Sequence, residues 1–310
     1  MKSVLMAVAG IVIAALVVGC YLLWTPDRKV ADLEAKYLKA KSDYVDVAGM
    51  RLHVRDTGNK QASAIVLLHG FGASLHTWEA WAVDLTRDYR VVRFDLPGFG
   101  LTGADPTGDY TDARSIAVIT ALMDKLGIAR ATLIGNSMGG RMAWTFAALH
   151  PTKVDKLVLI SPDGFASPGM AYGKKVEVPA MMKLMRYALP KAMLRPTLAA
   201  AYTDPSTLTD ELLNRYYNLM LAPGVRDAVL ARMAQVVLQD PVPLLRRITA
   251  PTLLLWGEKD AMIPVTNAED YRKTLPNSTL VKLSNLGHLP FEEAPAQSLE
   301  PVRAFLAKRR

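Results

Sequence analysis

Apolar residues fall along this chain in two alternating rhythms. Predominantly apolar runs at Ala64–His69, Arg90–Phe94, Ala131–Ile134, Leu157–Ile160, Thr252–Trp256 and Thr279–Leu283 fit strands covered on both faces. Upstream, Tyr44–Val47 and Arg51–Asp56 alternate apolar and polar around Ala48–Gly49, which predicts an antiparallel hairpin. Between most of these runs the apolar spacing becomes helical, at Thr77–Thr86, Asp112–Leu126, Met138–Leu149 and Thr266–Thr274, with a last helix over Ala296–Lys308. Strands alternating with helices predict right-handed crossovers and a mostly parallel sheet, here of eight strands. Ligands in such sheets sit beyond the carboxyl ends of the strands.

Between Pro162 and Arg247 the rhythm breaks: helical patterns continue and no convincing strand occurs. Pro179, Pro190, Pro196 and Pro223 divide the stretch into short helices. It is rich in methionine, at Met170, Met181, Met182, Met185, Met193, Met220 and Met233. Flexible thioethers suit either an irregular core or a substrate-lining surface, and both readings stay open. The expected division is an α/β core over 43–164 and 240–310, with a helical cap over 165–239.

The N-terminus carries a third pattern. Val4–Trp24 holds no charged residue, follows Lys2, and ends before Thr25–Pro26–Asp27–Arg28–Lys29. About 20 apolar residues suffice to cross a bilayer as a helix, and Tyr21 and Trp24 lie where aromatic rings favour the interface. A cleaved secretory signal has the same outline. A third possibility is a lipoprotein: Val17–Val18–Gly19–Cys20 resembles the lipobox whose cysteine is acylated, although Tyr21–Trp24 prolongs the apolar run beyond it. The expectation is a membrane anchor over 1–26, with the catalytic part on the periplasmic side of a bacterial inner membrane. Lys2 favours that orientation, whereas Arg28, Lys29, Lys36, Lys39 and Lys41 oppose it. Residues 27–42 read as a short linker helix, with Val30, Leu33 and Tyr37 at helical spacing.

Composition changes little. At 51% hydrophobic and 21% charged the chain is far from disorder. The net charge of +8 comes from scattered Lys and Arg, with no basic stripe interleaved with aromatics, so no nucleic-acid partner is expected. The single cysteine excludes an intramolecular disulfide.

The chemistry centres on Gly135–Asn136–Ser137–Met138–Gly139, a Gly-x-Ser-x-Gly pattern between a predicted strand and a predicted helix. Such a turn is tight and strained, and its glycines let neighbouring backbone pass closely. The serine hydroxyl needs a base. In hydrolases with this elbow the acid and the base follow the nucleophile along the chain, which leaves His150 and His288 among the five histidines. His150 precedes Pro151 at a helix end, where a capping or dipole role explains it. His288 lies in a loop just after the last predicted strand. Asp260, beyond the Leu253–Trp256 strand, is the expected orienting acid; Glu258 and Asp163 are its rivals. The oxyanion donors are expected at the backbone N–H groups of Phe71 and Met138, and His69 reads as structural.

Taken in order, His69–Gly72, Asp95–Gly100, Gly135–Gly139, Gly257–Asp260 and Gly287–His288 resemble the capped α/β-hydrolase family from about Tyr44 to the C-terminus. The resemblance implies the α/β-hydrolase fold, the helical cap and the triad roles of Ser137, His288 and Asp260. Serine at 137 sets the chain apart from the epoxide hydrolases and haloalkane dehalogenases of that fold, which use aspartate there. Ile134–Gly140 is similar to the meta-cleavage product hydrolases, which cut carbon–carbon bonds in dienoates, but their tryptophan shortly after the catalytic histidine is absent. Gly287–His288–Leu289–Pro290–Phe291–Glu292–Glu293 instead matches a tail shared by many esterases and lipases. The expected activity is therefore serine hydrolysis of small to medium, hydrophobic carboxylic esters at a membrane, with neither cofactor nor metal. A carbon–carbon hydrolase and a low-turnover, ligand-binding receptor are the alternatives, and the oligomeric state stays open.

Overall fold

Ala48 and Gly49 both adopt positive φ, 54° and 81°, the left-handed pair that matches the twist of a two-residue hairpin. They join β1 (Tyr44–Val47) to β2 (Met50–Thr57) in antiparallel register. The structure is a computed structural model that describes residues 2–166, 171–175 and 177–308. The other strands are β3 (Ala64–Leu68), β4 (Arg90–Phe94), β5 (Ala131–Asn136), β6 (Val154–Ile160), β7 (Thr252–Gly257) and β8 (Ser278–Leu283). They form one eight-stranded sheet in the order β1-β2-β4-β3-β5-β6-β7-β8. The pairings β1–β2 and β2–β4 are antiparallel, and all the others are parallel.

Successive side chains of a strand point to opposite faces, so the central strands feed two cores. Val66, Leu68, Leu133 and Phe94 pack on one side with Phe146, Trp256 and Tyr271. Ile65, Leu67 and Ile134 pack on the other with Trp78, Trp81 and Phe291. The helices α1 (Lys2–Leu23), α2 (Val30–Tyr37), α3 (Glu79–Leu85), α4 (Asp112–Lys125) and α5 (Met138–Leu149) precede β6. After β7 come α11 (Thr266–Thr274), α12 (Pro290–Glu293) and α13 (Pro295–Ala307). Helices α4, α5 and α11 cover the first face and α3, α12 and α13 the second. Burying one such Leu or Phe stabilises the fold by about 1.5–3 kcal/mol.

The stretch between β6 and β7 carries α6 (Ala180–Lys183), α7 (Lys191–Ala199), α8 (Asp210–Met220), α9 (Val225–Gln235) and α10 (Val242–Leu245). Among its described residues no strand forms; only an isolated bridge joins Lys175 to Val237. Pro179 and Pro190 stand immediately before α6 and α7, where a missing N–H costs nothing. Its methionines divide by position. Met185, Met220 and Met233 pack on the first core, Met181, Met182 and Met193 are exposed, and Met170 lies outside the described residues.

Helix α1 contains the span Val4–Leu23, long and apolar enough to cross a membrane and with none of its described residues buried. The linker helix is shorter than its sequence pattern suggests: after α2 only a 3-10 turn at Lys41–Asp43 precedes β1. Leu33 and Tyr37 of α2 are buried, and the Tyr37 carbonyl accepts from Arg55 at 2.8 Å, so α2 braces the sheet edge.

Candidate active site

Strand β5 runs straight into the elbow. Ser137 has φ 53° and ψ −120°, a strained conformation for a residue with a Cβ. Its backbone is held on three sides: Ser137 N donates to Ile160 O at 3.1 Å, and Ser137 O accepts from Arg141 N and Asp163 N, both at 3.0 Å. The flanking glycines are steric necessities. A Cβ at Gly139 would lie 2.2 Å from Leu68 O, and one at Gly135 would lie 2.3 Å from Gly139 O. Gly70 is packed nearly as tightly, since its Cβ would meet Asn136 Oδ1 at 2.9 Å. The loop after β3 is thereby pressed against the elbow.

His288 and Asp260 arrive from the ends of β8 and β7. Their side chains meet at 2.8 Å, between His288 Nδ1 and Asp260 Oδ2, and both are buried. Asp260 Oδ1 accepts from the backbone N–H of Met262 at 2.8 Å and of Ile263 at 2.9 Å. Burial alone would raise the carboxyl pKa. The His288 bond and charge, then the Ile263 amide and Ser161, outweigh it and hold the group below its ordinary range. Of the rivals, Asp163 pairs with Arg141 at 3.5 Å and Glu258 is exposed. His150 ends α5, where its ring lies tilted against that of Phe146. None of the three lines the cavity described next.

That cavity, about 180 Å3, opens over Ser137 and His288. Its floor includes Phe71, Asn136 and Leu289, and its roof includes Leu194, Leu198 and Met220 from α7 and α8. The Ser137 hydroxyl and the imidazole line it together without a hydrogen bond between them; in enzymes lacking bound substrate such bonds are often long. The backbone N–H groups of Phe71 and Met138 donate to no acceptor among the described residues, and Met138 N is at the first turn of α5, where helix amides are unpaired. His69 is locked away from the chemistry: Nδ1 meets Gly70 O at 2.8 Å, and Nε2 accepts from Leu96 N at 2.9 Å. Among the described residues no group of three His, Cys, Asp or Glu side chains could hold a metal ion.

The pattern of the alpha/beta hydrolase fold matches residues 63–295, well over half of the chain. The chain belongs to this family. A 2-hydroxy-6-oxo-6-phenylhexa-2,4-dienoate hydrolase of Burkholderia cepacia is 30% identical over 250 residues, 78% of this chain and 86% of its own. A solved membrane phospholipase A, a bacterial virulence factor, is 26% identical with a TM-score of 0.73, covering 99% of this chain and 98% of that one. A thermophilic esterase from Thermogutta terrifontis is also 26% identical, with a TM-score of 0.69, covering 85% of this chain and 97% of its own.

Three side chains of this hydrolase matter to the site in ways its sequence pattern did not suggest. Asn136 Nδ2 donates to Ile160 O and to His288 O, both at 3.1 Å, and so ties the elbow to the histidine loop. Glu292 is a half-buried hub. It accepts from Thr77 Oγ1 at 2.6 Å, Tyr202 OH at 2.6 Å and Tyr216 OH at 3.0 Å, and it pairs with Arg215. Glu293 accepts from the N–H groups of Gly287 at 2.8 Å, Thr203 at 2.8 Å and Asp204 at 3.1 Å. With His288 N donating to Ala201 O at 2.8 Å, these bonds clamp the helical insertion to the histidine loop. Two adjacent glutamates four and five residues after His288 were the available signal.

Proposed function

We propose that the chain is a membrane-tethered serine hydrolase of neutral, hydrophobic carboxylic esters. In this reading Ser137 is the nucleophile, His288 the general base, Asp260 the acid that orients it, and the helical insertion a cap. The Ser137 hydroxyl attacks the ester carbonyl while His288 Nε2 takes its proton. The N–H groups of Phe71 and Met138 receive the oxyanion. His288 then protonates the leaving alcohol, and water repeats the sequence on the acyl-enzyme, releasing the carboxylic acid.

The observation carrying the ester reading is the lining of the cavity. Leucines, methionines, alanines, glycines and Phe71 dominate it, and no lysine or arginine is among the described lining residues. A charged dienoate would leave its carboxylate without a cationic partner there, which is costly in an apolar pocket. A neutral acyl chain meets no such penalty. The second reading, carbon–carbon bond hydrolysis, is favoured by the relative that acts on a phenylhexadienoate and uses the same nucleophile and base. Parallel turnover of nitrophenyl esters graded by acyl length and of a 2-hydroxy-6-oxo-dienoate tests the choice. Faster ester cleavage supports the first reading, and dienoate cleavage exceeding every ester refutes it.

A further inference from the structure

The end of α1 is fastened to the helical insertion rather than to the sheet. Thr25 N donates to Tyr187 O at 2.8 Å, Leu189 N donates to Thr25 Oγ1 at 3.1 Å, and Trp24 stacks on Tyr187 with ring centroids 6.0 Å apart. Two residues further on, Asp27 pairs with Arg226 at 2.7 Å, and Arg226 in turn donates to Met185 O at 3.2 Å. If Val4–Leu23 crosses a bilayer, residues hydrogen-bonded to position 25 lie at its surface.

The face held there is unlike the rest of the domain. Met181 is 75% exposed, Met193 68%, Leu184 51% and Tyr187 51%, a concentration of bare apolar side chains that marks an interaction surface in a folded protein. It is also basic. Residues 171–200 hold Lys174, Lys175, Lys183, Arg186, Lys191 and Arg195 against one carboxylate, Glu177. Arg186 and Arg195 face Asp227 and Asp210. The four lysines have no carboxylate partner among the described residues. Exposed apolar side chains beside unpaired lysines suit the surface of an anionic bilayer, where the apolar groups enter the headgroup region and the amines meet phosphates.

We infer that residues 172–175 and 177–193 form a second membrane contact that recognises anionic phospholipid and seats the insertion on the bilayer beside the end of α1. Helix α7 then presents Met193 to the membrane and Leu194 and Leu198 to the cavity, so this contact borders the route by which an ester dissolved in the bilayer reaches Ser137. The inference rests on the reading of α1 as a membrane span.

The test uses the full chain in phosphatidylcholine vesicles with and without phosphatidylglycerol, and a polarity-sensitive fluorophore on a single cysteine. Native Cys20 reports on α1. Met193→Cys and Val83→Cys, each in a Cys20→Ser background, report on the proposed surface and on α3. Lipid-borne spin labels should quench the probes at 20 and 193 but not at 83. Quenching at 193 should strengthen with phosphatidylglycerol and weaken with salt. Changing Lys175, Lys183 and Lys191 together to Glu should abolish the phosphatidylglycerol dependence; should that variant fail to fold, the salt and lipid dependence of the Met193→Cys protein still decides. Quenching at 20 with position 193 as unquenched as 83 overturns the surface and leaves the anchor standing. Quenching at neither overturns both. Quenching at 193 indifferent to phosphatidylglycerol overturns the lysine assignment.

Discussion

Replacing Glu292 with alanine removes one acceptor from four donors at once. Thr77 Oγ1, Tyr202 OH, Tyr216 OH and the Arg215 guanidinium all converge on this carboxylate, whose side chain is 6% exposed. Hydrogen bonds to a charged group contribute about 1.5–3 kcal/mol each, but four that share one acceptor are not additive. The closer guide is the breaking of a buried ion pair by loss of one partner, about 3–5 kcal/mol. Arg215 and both phenols would be left short of a partner, so Glu292→Ala should destabilise the fold by about that amount. For a chain of 310 residues the unfolding entropy turns this into a fall in Tm of roughly 5–8 °C. Glu292→Gln keeps the shape and one acceptor oxygen, and should cost about half as much. Thermal unfolding in detergent measures both. Because Tyr216 lines the cavity, KM for an acyl ester should rise in both variants. A Glu292→Ala protein within about 1 kcal/mol of the wild type would refute the view that this carboxylate clamps the insertion to the histidine loop.

Other consequences are equally specific. Gly139→Ala should abolish the folded elbow, because its Cβ would overlap backbone oxygens of Leu68 at 2.2 Å and His69 at 2.5 Å; soluble yield and activity should fall together. Asp260→Asn should leave Tm nearly intact and lower kcat by about 10⁴, since the imidazole loses the acceptor that fixes its tautomer; steady-state kinetics read this directly. Burial, outweighing the nearby Asp95 charge, pushes the His76 pKa down to about 4 from 6.5. The unfolded chain therefore binds a proton below pH 6.5 that the folded chain refuses until pH 4, and stability should fall across that window by up to about 3 kcal/mol. Denaturant titrations at several pH values should show a shallower acid limb in His76→Gln, and an unchanged one would contradict the assignment.

Much of the architecture could be read along the chain because local and tertiary demands coincide in it. Ala131–Ile134 and Thr252–Trp256 are apolar apart from Thr132 and Thr252 because helices cover both faces of β5 and β7, and the sequence records that burial directly. The Gly-x-Ser-x-Gly elbow was equally legible, since its glycines are dictated by contacts of its own turn with β3. His288 and Asp260 were foreseen as a pair and do meet; the roles given to them remain proposals. The strand order β2-β4-β3 could not be read from periodicity, which carries no information about neighbours. Met181 and Met193 were as compatible with a lined pocket as with the exposed face they occupy, because methionine suits both. The contacts of Glu292, and those of Glu293 with the insertion, join residues 76 to 215 positions apart, and a charged pair after a histidine looks like solvated surface until the fold closes over it. Substrate choice was the least legible: the ester reading and the carbon–carbon reading share every residue of the elbow, and the dienoate hydrolases among the relatives support the second better than the first.

The serine carries the account, and a covalent probe tests it most directly. A fluorophosphonate should add once to the full chain, on the peptide containing Ser137, with turnover lost in proportion to labelling, while Ser137→Ala takes no label and turns over nothing at an unchanged Tm. Labelling at another residue, or hydrolysis by Ser137→Ala at the wild-type rate, would contradict it.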